Sequence, residues 1–161
     1  MGIIFALAGA AMATILAGIG SAKGVGSAAE TAMGVMREDS SKFGKMMILS
    51  LLPGTQGLYG FIVTFLVFIK CNILGGGLDI STATGIQFFV ASMPIAFGGL
   101  FSAIAQGKTA VSGISLVAKD DKSFGKAMIF VVLGEAVALY GLVVAMLIVF
   151  LKIPDMSAFV G

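Results

Sequence analysis

One stretch, Ala127 to Leu151, constrains the fold more than any other because it is apolar throughout except for a single carboxylate, Glu135. A run of about 25 apolar residues is long enough to cross a bilayer as a helix. A charged side chain is costly at that depth, so it usually faces protein or water and serves a function. Glu135 is therefore the first candidate functional residue.

The composition is that of an integral membrane protein. Hydrophobic residues make up 58% of the 161 residues and charged residues 11%, whereas roughly 25% of the residues in a soluble domain are charged. The net charge of +2 is too small to indicate nucleic-acid binding. With no His and one Cys, Cys71, the chain excludes His/Cys metal sites and an intrachain disulfide, and a catalytic triad would lack its usual base.

Charged residues divide the sequence into four apolar stretches, each long enough to span a membrane. These are residues 1–22, 46–69, 80–107 and 127–151. The first has no basic N-terminal region and a long apolar run, so we expect a retained helix rather than a signal peptide. We expect the first and third helices to continue to about Met36 and Val117, since neither extension contains Pro.

The predicted fold is an all-α membrane protein in which four transmembrane helices form two hairpins. Polar turns at 37–42 and 119–123 join the helices of each hairpin, and Gly75-Gly76-Gly77 breaks any helix between them. The expected boundaries are residues 1–70 for the first hairpin, 71–83 for the linker and 84–161 for the second hairpin.

The two hairpins are sequence copies. KFGKMMI from Lys42 matches SFGKAMI from Ser123, an offset of 81 residues. The same offset aligns Tyr59 with Tyr140 and Ser21 with Ser102, without a gap. Because each copy contains two helices, the repeats run parallel, unlike the inverted repeats of many transporters.

Basic residues predict the orientation. Six of them lie in or beside the hairpin turns, whereas Lys70 and Lys152 flank the opposite ends. The positive-inside rule then places the turns in the cytoplasm and both termini and the linker outside. Small residues recur every three or four positions from Gly9 to Gly24, which predicts close packing of the first and third helices, as on the inner wall of a ring.

The two copies differ at the residues that carry chemistry. The offset pairs Glu135 with Gly54, so one carboxylate serves four helices. The first hairpin instead has a hydroxyl and an amide at Thr55 and Gln56, where the second has apolar residues. Gln106 in the third helix offers a further oxygen. The copies therefore supply complementary groups, one the charge and the other neutral oxygens.

Helical spacing brings several of these groups to one side of the second helix. Leu52, Gln56 and Tyr59 lie at i, i+4 and i+7, and Thr55 lies beside that face. Pro53 has no N–H to donate, so it disturbs the backbone there.

The chemistry of these groups favours a monovalent cation. Hard cations prefer oxygen ligands, and one carboxylate with neutral oxygens makes an uncharged complex that enters lipid far more readily than a bare charge. A divalent cation would leave a charge of +1, which disfavours Ca²⁺ and Mg²⁺. A proton needs little beyond the carboxyl group, so Thr55, Gln56 and Gln106 favour Na⁺, with H⁺ as the alternative.

Three motifs on the duplicated chain carry a resemblance to a known family: LPGTQGLYG from Leu52, IAQGK from Ile104 and GEAVALYG from Gly134. Together they resemble the proteolipid subunits, of the K or c type, of Na⁺-translocating V-type ATPases, over essentially the whole chain. The resemblance implies a non-catalytic subunit. Several copies would form a membrane rotor ring, with helices one and three on its inner wall, driven by ATP hydrolysis in a separate soluble sector.

The resemblance also implies a Na⁺ site, with Na⁺ as the transported ion and no cofactor. Tyr59 would donate a hydrogen bond to Glu135. The implied ligands are the Glu135 carboxylate, the Thr55 hydroxyl, the Gln56 and Gln106 amide oxygens and the Leu52 main-chain carbonyl.

The implied partners are identical subunits, the central stalk, the lipid of the cell membrane and a stator subunit (a or I) that supplies an Arg. This chain does not contain that residue, since its one Arg, Arg37, lies in a turn. Besides a rotor carrying H⁺, two other classes are alternatives. One is a four-helix proton-coupled antiporter, against which stands the absence of Trp; the other is a passive pore or adhesion protein.

Overall fold

The computed structural model describes residues 1–77 and 79–151, and the regular structure in these ranges is entirely helical. The residues expected in the second hairpin beyond Leu151, including Lys152, lie outside the described part. The helices are α1 (Gly2–Glu38), α2 (Phe43–Leu51), α3 (Thr55–Lys70), α4 (Thr82–Lys119), α5 (Phe124–Leu133) and α6 (Ala136–Phe150).

Among the residues that the structure describes, four helical segments are long and apolar enough to cross a membrane, at residues 2–38, 40–70, 82–119 and 121–150. The second contains α2 and α3, and the fourth contains α5 and α6. This arrangement confirms the predicted four-helix fold. Helices α1 and α4 end at Glu38 and Lys119, two residues beyond the ends expected from the sequence.

Helices α1 and α4 pack closely and in parallel. A Cβ atom added at Gly9 would lie 2.5 Å from the Cα of Phe89, and one added at Gly20 would lie 2.7 Å from the Cα of Leu100. Residue numbers rise together along the two helices, so the equivalent helices of the repeat run in the same direction. The close approach predicted from the spacing of small residues is therefore confirmed.

The buried apolar residues form three clusters that succeed one another from the hairpin turns to the linker. Leu52 packs against the cluster nearest the turns, and Tyr59 packs against the middle cluster. Thr55 and Gln56, which stand between Leu52 and Tyr59 in the chain, therefore lie between two apolar layers, deep within the second span. The larger members of the clusters are, from the turns to the linker, Met46, Leu49 and Ile114; Val63 and Ile95; and Val67 and Phe88.

The linker is turned by backbone conformations that end a helix. Gly76 has φ +82° and Asn72 has φ +51°, both in the left-handed region that breaks a right-handed helix. Ser81 then caps α4, because its hydroxyl accepts a hydrogen bond from the N–H of Thr84 at 3.1 Å. As a result α4 begins at Thr82, inside the range 71–83 assigned to the linker from the sequence.

Candidate ion-binding site

The second span of each hairpin is interrupted at the same position of the repeat. Between α2 and α3 the chain forms one 3-10 turn, Leu52–Gly54, with Pro53 at its centre. Between α5 and α6, Gly134 and Glu135 form a turn in which their N–H groups bond to carbonyls three residues back rather than four. The repeat offset aligns Pro53 with Gly134. The sequence predicted the disturbance at Pro53 but not the one at Glu135.

Side chains from α4 hold the interruption beside Glu135. The Ser102 hydroxyl donates to the Gly134 carbonyl at 2.6 Å, and the Gln106 Nε2 donates to the Val131 carbonyl at 3.0 Å. Carbonyls at the end of a helical segment lack intrahelical donors. Here Ser102 supplies a donor for the Gly134 carbonyl, and Gln106 adds a second donor to the Val131 carbonyl, which also accepts from the Gly134 N–H. Helix α4 therefore fixes the backbone from which Glu135 projects.

Glu135 is half-buried, and its carboxylate Oε1 accepts a hydrogen bond from the Tyr59 hydroxyl. The structure thus contains the bond that the resemblance implied. The two ion pairs recorded between residues in 1–77 and 79–151 join Lys42 to Asp39 and Lys45 to Asp121. Within those ranges, no basic side chain pairs with Glu135.

The neutral oxygens form a connected group on α3 and α4. The Thr55 Oγ1 lies 3.0 Å from the Leu52 carbonyl oxygen and 3.4 Å from the Gln56 Oε1. The Gln56 Nε2 donates to the Gln106 Oε1, and both glutamines are 0% exposed. Burial of two amides is tolerable because their hydrogen-bonding groups are satisfied by one another and by nearby oxygens.

The backbone next to Glu135 packs against Gln106. A Cβ atom added at Gly134 would lie 3.0 Å from the Cβ of Gln106, and Tyr59 follows Thr55 by about one helical turn on α3. The fold therefore brings Glu135 and its hydrogen-bond partner near the buried amides of Gln56 and Gln106 and the half-buried Thr55 hydroxyl. That combination suits a small monovalent cation, although the role of each residue as a ligand stays a prediction.

Sequence reasoning missed the contribution of two serines. Ser102 contacts both the Gln56 amide and the Gly134 carbonyl, and Ser21 accepts a hydrogen bond from the Gly57 N–H at 2.8 Å. The signal was present in the repeat, because the offset aligns Ser21 with Ser102. Each serine reaches from the first helix of its hairpin to the interrupted second span.

The family model for the C subunit of ATP synthase matches this chain twice, at residues 8–67 and 89–148. The two matches have the same 81-residue offset as the sequence repeat. The chain belongs to the ATP synthase C-subunit family. It contains two tandem copies of the family's helical unit, one in each hairpin.

Relatives of this chain include subunits of a V-type sodium ATPase, an A-type ATP synthase and a V-type proton ATPase. The chain is 49% identical over 148 residues to the V-type sodium ATPase subunit K of Enterococcus hirae, covering 92% of each chain. It is 40% identical over 146 residues to the A-type ATP synthase subunit K of Methanocaldococcus jannaschii, covering 91% of this chain and 62% of that one. It is 29% identical over 149 residues to the V-type proton ATPase 16 kDa proteolipid subunit of Chrysotila carterae, covering 89% of this chain and 88% of that one.

Family membership gives the chain a non-catalytic role as a membrane proteolipid of the ring-forming rotor type. The four helical spans agree with this role. Membership supports the rotor interpretation over the antiporter and passive-pore alternatives.

Proposed function

We propose that this subunit carries Na⁺ across the membrane on Glu135, as part of a rotor ring of identical subunits. The observation that carries the proposal is the set of neutral oxygens, two of them on fully buried amides, near a lone carboxylate. Gln56 and Gln106 are fully buried there, and Thr55 is hydrogen-bonded to the Leu52 carbonyl. A purely structural carboxylate would not call for this number of additional oxygens.

The proposed ligands make a bound Na⁺ electrically neutral. One negative charge offsets one positive charge, and the remaining ligands contribute dipoles without net charge. A neutral site crosses hydrocarbon at far lower free energy than a bare carboxylate. The ligands are the Glu135 carboxylate, the Thr55 hydroxyl, the amide oxygens of Gln56 and Gln106 and the main-chain carbonyl of Leu52, with Tyr59 orienting the carboxylate.

Release of the ion requires a positive charge at Glu135, and no basic side chain in the described part of this chain pairs with that carboxylate. Arg37 lies at the end of α1, next to the hairpin turn, whereas Glu135 lies in the middle of the fourth span. The displacing Arg therefore comes from a stator subunit (a or I). ATP hydrolysis in a separate soluble sector turns the ring through the central stalk, and α1 and α4 line the inner wall.

The proposed location is the cell membrane, with the hairpin turns in the cytoplasm and both termini and the linker outside. The turns carry Arg37, Lys42 and Lys45 in the first hairpin, and the second has a similar basic group. Such an excess on one side orients a membrane protein. The name of the Enterococcus relative, a sodium ATPase subunit, further supports Na⁺ as the ion.

Labelling of Glu135 by dicyclohexylcarbodiimide tests the proposal, because this reagent modifies protonated carboxyl groups in apolar surroundings. The intact ring is labelled across a range of Na⁺ concentrations at fixed pH and ionic strength, with choline as the balancing cation. We expect Na⁺ to protect Glu135 and choline not to. Labelling at Glu135 that is indifferent to Na⁺ would contradict the choice of ion.

A rotor that carries H⁺ is the second candidate, because the Tyr59 hydroxyl already satisfies one oxygen of the carboxylate. Relatives named as proton ATPase subunits also align with most of this chain, through both of its repeats. This candidate predicts labelling that depends on pH alone. It also predicts that Thr55→Ala and Gln106→Ala leave transport nearly unchanged.

A further inference from the structure

We infer that Ser102 is a positioning residue for the ion site, setting the direction of the Gln56 amide and anchoring the backbone next to Glu135. The inference rests on the proposed function, since it concerns the same site. Ser102 lies on α4 and is 5% exposed. Its hydroxyl faces groups on two other spans.

The hydroxyl of Ser102 is used both as a donor and as an acceptor. It donates to the Gly134 carbonyl at 2.6 Å and accepts from the Gln56 Nε2 at 3.4 Å. A serine hydroxyl has one hydrogen to donate. Because that hydrogen is directed at Gly134, only a lone pair remains for Gln56, and the group of Gln56 that faces Ser102 must be the NH₂.

This choice determines where the Gln56 oxygen points. The same Nε2 also donates to the Gln106 Oε1, whose own Nε2 is bound to the Val131 carbonyl. With both hydrogens of the Gln56 amide directed away, its Oε1 faces the Thr55 hydroxyl at 3.4 Å. Ser102 therefore helps to present an oxygen, and not an NH₂ group, to a cation next to Thr55.

Ser102 also fixes the interruption that carries Glu135. Gly134 immediately precedes Glu135, and its carbonyl takes its hydrogen bond from another span. Without this bond, the turn between α5 and α6 would lose a link to α4 at the residue adjoining the carboxylate. Loss of the hydroxyl should therefore weaken cation binding without removing any proposed ligand.

The test is the Na⁺ concentration that half-protects Glu135 from dicyclohexylcarbodiimide in intact rings. In Ser102→Ala we expect this concentration to rise about three- to tenfold, as for loss of one or two hydrogen bonds, while the labelling rate without Na⁺ stays unchanged. Ser102→Thr restores a hydroxyl and should restore most of the affinity. Ser92→Ala is the matched control, because Ser92 is buried on the same helix and donates only to its own helix, at Phe88.

Three results separate the possible failures. Half-protection that is the same in wild type and Ser102→Ala overturns the inference, whereas wild-type labelling that ignores Na⁺ overturns the proposed function. If Ser102→Ala rings do not assemble, half-protection is measured in Ser102→Cys instead. It keeps the side-chain size nearly unchanged and makes only weak hydrogen bonds, so unaltered half-protection in Ser102→Cys would also overturn the inference.

Discussion

The first hairpin (α1–α3) and the second (α4–α6) interrupt their second span at equivalent positions but place different chemistry there. The first presents Thr55 and Gln56 just after its 3-10 turn, and the second presents Glu135 within its turn. Within the site, three hydrogen bonds join the hairpins: Tyr59 to Glu135, Gln56 to Gln106 and Gln56 to Ser102. Neither hairpin holds a complete set of groups, so the proposed site exists only where the two meet.

The repeat also indicates that the contact between neighbouring subunits of a ring lacks the groups of the proposed ion site. The contact equivalent to Gln56 with Gln106 would pair Val137 of one subunit with Val25 of the next. The contact equivalent to Tyr59 with Glu135 would set Tyr140, which is 69% exposed, against a glycine. These pairs offer no carboxylate and no amide. Under the proposed function, divergence of the two copies therefore leaves one ion site for every four helices.

Removal of the carboxylate should have the largest effect. In Glu135→Gln the side chain keeps its shape but cannot neutralise a cation, so we expect ATP-driven uptake of ²²Na⁺ into vesicles containing the whole ATPase to fall to background, at least about 100-fold. Loss of one buried charge interaction weakens binding by several kcal/mol, and every 1.4 kcal/mol lowers the binding constant about tenfold. Uptake near the wild-type rate would exclude Glu135 as the carrier.

Moving the carboxylate to the other hairpin is the matched control. The double variant Glu135→Gly with Gly54→Glu exchanges the two aligned residues, and a Cβ atom at Gly54 meets only the Val25 side chain, at 3.4 Å. We expect uptake to stay at background, because the residue aligned with Gln106 is Val25 and the carboxylate would have no second amide. Restored uptake would show that the two hairpins are interchangeable.

Substitutions in the packing of α1 against α4 should have the next largest effect, on the stability of the ring. Gly20→Ala would place a methyl group 2.6 Å from the Leu100 carbonyl oxygen. Such crowding typically costs about 1–3 kcal/mol, so we expect a lower midpoint of thermal unfolding for the purified ring. Gly18→Ala is the control, because nothing lies within 4 Å of its added Cβ. Equal midpoints for the two variants would argue against tight packing of α1 on α4.

Much of this architecture could be predicted because hydrophobic length and the repeat are properties of the sequence alone. The four spans, the parallel hairpins and the extensions of α1 and α4 follow from where charges, Pro and Gly stand. The interruption at Glu135 could not be predicted, since nothing local demands it: Gly134 is tolerated in helices, and the hydrogen bond that holds its carbonyl comes from Ser102, 32 residues away. The candidate site was predicted in its residue types but not in this supporting contact.

Loss of a neutral oxygen should have a smaller effect than loss of the charge. In Thr55→Ala we expect Na⁺ binding to weaken about tenfold, or ~1.4 kcal/mol, as for one hydrogen-bonding group near a charge. The measurement is ²²Na⁺ binding to the detergent-purified ring. Ala136→Thr adds a hydroxyl at the aligned position of the second hairpin, and we expect no gain in affinity from it. An unchanged affinity in Thr55→Ala would remove this hydroxyl from the site and favour H⁺.

The two copies remain alike in their hairpin turns, and substitutions there should have the smallest effect of those considered. Asp39 and Asp120 are aligned, and each accepts hydrogen bonds from the residues that follow it. The bonds from the Ser41 hydroxyl and N–H lower the pKa of Asp39. The pKa of Asp120 is lowered by the Ser123 hydroxyl and then by the Lys122 N–H.

A folded-state pKa below the ordinary value of 3.8 means that each ionised carboxylate stabilises its turn above pH 3.8, and that this contribution disappears as the pH falls through the folded-state pKa. Asp39→Asn with Asp120→Asn should therefore flatten the decline of the unfolding midpoint below pH 3.8, by a small amount because both turns are exposed to solvent. Glu30→Gln with Glu38→Gln removes the same number of charges without touching either turn bond. A decline that this control flattens equally would show that net charge, and not the aspartate bonds, governs the acid response. If the Asp39→Asn and Asp120→Asn single variants shift the unfolding midpoint by similar amounts at acid pH, the two hairpins have kept the same turn while their membrane-embedded residues diverged.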